Sequence, residues 1–199
     1  MKYLIILIIV IIVIGVAIMS IFYNANKVEF VKHSPKDPLM DLTFEYPQGW
    51  GIFERRGAYG VFIQAQILED LKAAGKDKAT ACSIDITIYP KSKAEFSPLS
   101  AQGLAEDIKK KRLSLKGSKL VSSSDIMVAG LRATDDKLAY SIFKVPLQAN
   151  AKPIHIIERI ICFQKGDNFY TVRMEEGTET FKDYDKIFNR VLEAIQFKS

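Results

Sequence analysis

Histidine, cysteine and tryptophan are scarce in this 199-residue chain, which holds two, two and one of them. Neither His33 nor His155 has a carboxylate beside it at a ligand spacing, so no metal site is expected. Cys82 and Cys162 stand 80 positions apart and form no metal or redox motif. Each sits among apolar strand residues, so buried thiols are expected rather than a disulfide. The run Ser122-Ser123-Ser124-Asp125 has no histidine positioned by sequence to activate a hydroxyl. No cofactor motif is present, and no enzyme is expected.

Charge is missing altogether from Tyr3 to Tyr23, where 21 positions contain Ser20 as the one clearly polar residue. A helix of that length measures about 31 Å, the thickness of a bilayer's hydrocarbon core. The many Ile and Val residues disfavour a helix in water, but in lipid a helix alone satisfies the backbone. A cleaved signal peptide is the alternative, with Gly15-Val16-Ala17 as small residues at a cleavage spacing. The apolar run continues through Phe22, so an uncleaved signal anchor is expected over residues 1–23. No cysteine lies near it, which excludes a lipoprotein anchor.

Orientation rests on two opposed signals. Lys27, Lys32 and Lys36 follow the segment while Lys2 precedes it, a distribution that would keep the C-terminal part inside. An N-terminal apolar segment with almost nothing before it is, however, the usual export signal. The expected location is a single-pass membrane protein with an extracytoplasmic domain. Without Lys2 the chain keeps 27 basic and 23 acidic side chains, too even a balance to imply nucleic acid.

Residues 24–40 contain two prolines, several charges and no sustained period, and read as a tether. Alternation begins at Leu42, Phe44 and Tyr46, the pattern of a strand with one face in a core. Pro47 and Gly49 then suit a turn, leaving Trp50 at the start of a second strand, where packing in the fold is its expected role. In 82–90, Cys82, Ile84, Ile86 and Ile88 share one face, and Ser83, Asp85 and Thr87 the other. Leu104, Ile108 and Leu115 form a helical stripe after the N-cap candidate Ser100.

The second half repeats the theme. KLVSSSDIMVAG (119–130) and LRATDDKLAYSIFKVP (131–146) read as two strands joined near Gly130. Ile154–Gln164 is nearly continuously apolar, as in a strand covered on both faces. Lys165-Gly166-Asp167-Asn168 is a hairpin turn. Phe181, Tyr184, Ile187, Phe188, Val191, Leu192 and Ile195 follow helical spacing, with Thr180 and Asp183 placed for a capping box. A strand covered on both faces and two amphipathic helices predict an α+β fold with helices on both sides of an antiparallel-rich sheet.

The order of these pieces resembles a family. FEYPQGW (44–50), LVSSSDIMVAGLRA (120–133), GDNFYTV (166–172) and FKDYDKIFNRVLEAIQF (181–197) together are similar to the PsbP-like family, named for the extrinsic protein of photosystem II. The similarity spans residues 41–198. It implies an α/β/α sandwich around a central antiparallel sheet, used as an accessory or binding module rather than as an enzyme. The photosynthetic members carry a cleaved transit sequence where this chain has a bilayer-length segment, which argues against a photosystem role. The expected organisation is an anchor at 1–23, a tether at 24–40 and a PsbP-like domain at 41–199.

Two sets of side chains stand out as candidate contact residues. Lys109, Lys110, Lys111 and Arg112 are the densest charge cluster, suited to lipid headgroups or an acidic partner. Four successive helical residues point in nearly all outward directions, however, which favours a plain solvated face. Glu158 and Arg159 interrupt an apolar strand, as a cross-strand ion pair at a sheet rim does, and mark the place to look for a cleft. The expected function is a membrane-anchored accessory protein of an envelope or membrane complex, its partner another membrane protein. A chaperone-like domain cradling apolar segments and a small-ligand or metal-binding envelope protein are the alternatives.

Overall fold

A computed structural model describes residues 28–57, 60–67, 82–90, 100–142 and 153–198. The apolar segment Tyr3–Tyr23 lies outside the described residues. Among those described, no helix is long and apolar enough to cross a membrane. The chain divides into two compact units, Met1–Phe30 and Val31–Ser199, and the second contains almost everything described.

Among the described residues are ten strands and two helices: β1 (Phe30–His33), β2 (Leu42–Pro47), β3 (Trp50–Arg56), β4 (Val61–Ile67), β5 (Ser83–Pro90), α1 (Ala101–Leu113), β6 (Lys119–Val128), β7 (Leu131–Ile142), β8 (Ile154–Lys165), β9 (Asn168–Gly177), α2 (Phe181–Glu193) and β10 (Gln196–Phe197). Seven strands form one sheet in the order β3-β4-β5-β9-β8-β7-β6, and β1, β2 and β10 form a second. Every pairing in the large sheet is antiparallel. The fold is therefore mixed α+β, built on a large antiparallel sheet with two helices.

Local chemistry explains the turns. Val128 pairs with Leu131 around Ala129 and Gly130, whose φ angles of 49° and 80° are both positive. That is the backbone twist a two-residue hairpin needs, and glycine adopts it without strain. At Gly60 the requirement is space, because a Cβ there would stand 2.0 Å from the carbonyl oxygen of Ile88.

The two helices meet opposite faces of the sheet, as strand parity shows. Leu104 and Ala105 of α1 pack with Leu138, Ile160, Cys162 and Phe169. Their sequence neighbours in β8 point the other way: Arg159 bonds to α2, and Phe163 lies against Phe197 of β10 at 6.3 Å. On this second face Ile84, Ile86, Ile88, Phe188 and Val191 are buried at 1% exposure or less. β8, between β9 and β7, is consequently buried on both sides, as its unbroken apolar run requires.

The helix termini differ from one another. Ser100 caps α1, its Oγ accepting from the Gly103 N–H at 3.1 Å. Thr180 precedes α2 but makes no capping bond. Its hydroxyl instead donates to Glu176 Oε1 at 2.7 Å, so the capping box expected with Asp183 does not form. The buried Glu176 on the preceding strand outcompetes the helix for that hydroxyl.

The tether expected to run through Met40 ends earlier. Val31 onward belongs to the compact unit, β1 sits beside β2, and Met40 is 1% exposed. Arg56 donates to Asp37 Oδ1 at 2.6 Å. Proline and charge mark the absence of a long period, and they do not report tertiary contacts made by a strand of four residues.

Trp50 opens β3 opposite Ile67, its ring 6.3 Å from that of Tyr184 on α2. It packs the strand's start against the C-terminal helix. No disulfide joins Cys82 and Cys162, and both are buried. Burial first, and then the charge of Asp136, push the Cys162 thiol up to about 12. It therefore behaves as a small apolar side chain.

Candidate functional site

Parity along β5 turns Asp85, Thr87 and Tyr89 towards the α1 side of the sheet, because Ile84, Ile86 and Ile88 fill the opposite core. Register then aligns Gln64 of β4, Asp85 of β5 and Arg173 of β9 in one row across three strands. Glu158 of β8 faces the same side, directly opposite Glu175. Together with α1, Asp85, Thr87, Tyr89, Glu158 and Arg173 line a cleft of about 400 Å³, whose walls include Phe62, Lys111 and Thr171.

The cleft's charges are tied to one another. Arg112 donates through Nη2 to Glu158 Oε1 at 2.9 Å. Its Nε lies 2.6 Å from Glu158 Oε2, a close ion-pair contact without hydrogen-bond alignment. Arg173 reaches Glu158 Oε1 at 3.3 Å and Asp85 Oδ2 at 2.7 Å, and Gln64 donates to Asp85 Oδ1 at 3.1 Å. Glu158 is completely buried, so these contacts replace its hydration.

The rim-pair reading of Glu158 and Arg159 does not hold. Both lie on an interior strand, and adjacent residues of a strand point to opposite faces. Arg159 looks towards α2, where its guanidinium forks onto Asp135 at 3.0 and 2.7 Å and donates to Asp185 at 2.8 Å and Asn189 at 2.6 Å. The ring of Phe188 lies 5.1 Å beneath it. Only Glu158 belongs to the cleft.

The basic cluster is divided too. Lys109 turns inward to Glu106 and lies 3.8 Å from Asp136, and Arg112 covers Glu158. Lys110 and Lys111 are exposed. Arg112 and Glu158, 46 positions apart, are thus the one pair the fold brings together from the two sets. Asp85 and Arg173 had no sequence signal of their own beyond the polar phase of an alternating strand.

Glu175 gives the cleft a pH response. Burial, and then the Glu158 carboxylate across the ladder, push its carboxyl above the ordinary value. Arg173, Arg112 and a hydrogen bond with Tyr140 oppose that rise. A carboxyl with a raised folded-state pKa holds its proton more tightly in the folded chain. Its contribution is full below the unfolded value of about 4.3 and is lost as pH rises through the folded value. The stability of Glu175→Gln relative to wild type is expected to increase from pH 4 to pH 8, measured by denaturant midpoints. A difference that stays constant over that range refutes the shift.

Among the described residues no group of three His, Cys, Asp or Glu side chains is placed to hold a metal. His33 bonds to Glu54 at 2.8 Å and packs edge-on against Phe44 at 5.4 Å. His155 lies 2.9 Å from Ser141 on the neighbouring strand, an exposed pair outside both clefts described. The second cleft, about 460 Å³, lies at the N-terminus of α1 beside Asp125, Arg132 and Gln164.

No family model and no curated protein matches the chain. Several solved structures do. LpqN of Mycobacterium tuberculosis, a protein involved in cell envelope biogenesis, aligns over 89% of this chain and 95% of its own, with 11% identity and a TM-score of 0.50. Cyanobacterial PsbP (CyanoP) of Synechocystis sp. PCC 6803 aligns over 86% and 94%, at 14% identity and a TM-score of 0.49. PA94 of Pseudomonas aeruginosa, a protein of unknown function described as a putative regulator, aligns over 83% and 94%, at 12% and 0.49. The likeness to LpqN, at this identity, is one of fold alone.

Proposed function

We propose that the chain is a membrane-anchored, non-catalytic accessory protein of the PsbP-like kind. In this reading Tyr3–Tyr23 holds the α/β/α domain at the membrane, on the extracytoplasmic side, and the domain binds another envelope or membrane protein. The observation that carries it is strand β6. It lies at the end of the seven-stranded sheet, and its first seven residues, Lys119–Asp125, are exposed.

An exposed sheet edge offers a row of backbone donors and acceptors to an extended partner segment. The opposite edge, β3, is guarded by the exposed charges Glu54, Arg55 and Arg56. In β6 the guards are Lys119 and the register shift at Val121, both at one end. From Ser122 to Met127 neither lysine nor proline interrupts the edge. Three small serines there leave room for a neighbouring strand.

Hairpin geometry supplies the test. In a two-residue hairpin the flanking residues Val128 and Leu131 are a hydrogen-bonded pair, so alternation aims the backbone of Ser123, Asp125 and Met127 outward. Ser123→Pro removes an outward N–H and no ladder bond. Affinity capture of the full chain from its native membrane is expected to recover a partner with wild type and to lose it with Ser123→Pro. Equal recovery by both, or no partner with either, defeats this reading.

A further inference from the structure

Exposed large apolar side chains are few, and four of the seven among the described residues fall within nine positions: Leu113, Leu115, Leu120 and Val121, at 39 to 51% exposure. They lie where α1 ends, turns and enters β6. The same stretch, residues 110–121, contains five cations and no carboxylate. Arg112 is spent on Glu158 beneath it. Lys110, Lys111, Lys116 and Lys119 are exposed, and Lys110, Lys116 and Lys119 pair with no carboxylate among the described residues.

Helix chemistry accounts for part of this and leaves the rest. Lys110, Lys111 and Arg112 sit in the last turn of α1, where positive charge offsets the helix dipole. That reason does not extend to Lys116 or Lys119 beyond the helix, nor to aliphatic side chains standing in water. Three backbone donors of the turn are also satisfied internally. Ser114 N–H donates to Lys110, Leu115 to Arg112 and Ser118 to Leu115, each at 3.1 Å, and the Ser114 hydroxyl donates to Lys111 O at 2.7 Å. A tip closed in this way enters a poorly hydrated layer without stranding these donors.

We propose that residues 110–121 form a membrane-docking patch, in which the four lysines meet anionic lipid headgroups and the Leu and Val side chains enter the headgroup–acyl boundary. Charge complementarity selects the occupant: positive charge interleaved with single aliphatic side chains matches an anionic bilayer surface. An acidic protein is the weaker fit, since protein hot spots rely on aromatic and arginine anchors set in pockets. The patch has no aromatic residue, and its arginine is already engaged. The inference deepens the membrane-anchored reading and rests on it for holding the domain near a bilayer.

The test uses the full chain in nanodiscs of phosphatidylcholine, with or without about 30% phosphatidylglycerol, as the anionic surface the patch requires. Leu115→Cys carries an environment-sensitive dye, and Phe53→Cys on β3 serves as the reference position, while the native thiols stay buried. A blue shift is expected at position 115 on anionic nanodiscs alone, reversed near 0.5 M salt, where screening extends only a few ångströms, roughly 4 Å. No shift is expected at position 53. Changing Lys110, Lys111, Lys116 and Lys119 to Gln is expected to weaken this docking by at least about tenfold.

Recovery of the chain with neutral nanodiscs reports the N-terminal anchor separately. A chain held by both lipids without a shift at position 115 overturns the patch and leaves the anchor standing. A chain held by anionic nanodiscs alone, with the shift, supports the patch and overturns the anchor. A shift produced by polyglutamate and by neither lipid overturns docking on lipid and assigns the surface to an acidic protein.

Discussion

Glu158→Ala is expected to lower folding stability by about 3–5 kcal/mol, the range for stranding one side of a buried ion pair. Glu158 has no exposed surface and answers two arginines, Arg112 from α1 and Arg173 from β9. Removing the carboxylate leaves two guanidinium groups facing each other across an emptied site. Arg173 retains Asp85 as a partner, whereas Arg112 loses the one carboxylate seen to bond it. Because the side chain of Arg112 is 30% exposed and can move towards water, the lower end of the range is the better figure.

Denaturant unfolding of the full chain in a membrane mimetic measures the change. In a domain of this size it corresponds to a fall in Tm of about 2–4 °C per kcal/mol. Glu158→Gln preserves volume and an acceptor, so it is expected to lose less than alanine. A loss under about 1 kcal/mol for alanine would show that the pair is hydrated, against the burial on which the argument depends.

Arg159→Ala is the second large effect, again about 3–5 kcal/mol, and it acts on the other face. Its side chain is 8% exposed and holds Asp135, Asp185 and Asn189 at once, fastening β7 to α2. Truncation strands Asp135, whose side chain is 9% exposed, while Asp185 keeps Lys137 at 3.2 Å. It also removes the contact of the guanidinium with the Phe188 ring. Hydrogen exchange should show α2 opening before the sheet.

Arg159→Lys distinguishes geometry from charge. A lysine carries the charge but cannot fork onto Asp135 while reaching α2, so it is expected to recover less than half of the loss. Full rescue by lysine would mean that charge alone matters there.

Much of the architecture was legible because it is locally encoded. Alternation at Leu42, Phe44 and Tyr46 marks β2, and the 3-4 spacing from Phe181 marks α2, since side-chain direction follows from backbone periodicity. Ser100 caps its helix as its chemistry dictates, and the Gly130 and Gly166 turns close their hairpins where glycine permits positive φ. Trp50 falls at a strand start and packs there. Thr180 shows the limit of this reasoning. A hydroxyl serves whichever acceptor the fold brings near, and Glu176 was nearer than the helix.

The candidate site was legible only in fragments. Glu158, Arg159 and the basic run were visible as charges in unexpected settings, yet their partners were not. Arg112 meets Glu158 across 46 positions, Lys137 meets Asp185 across 48, and Arg173 meets Asp85 across 88. Such meetings depend on strand order and register, which follow from burial of the whole apolar surface. The sequence by itself determined the elements, their turns and the faces their side chains take, because those depend on neighbours within a few residues. The tertiary structure alone decided that Glu158 and Arg159 serve opposite layers, that Val31–Met40 joins the domain, and that Leu113, Leu115, Leu120 and Val121 face solvent among lysines. Those outcomes rest on which distant surfaces cover one another, and no local period carries that information.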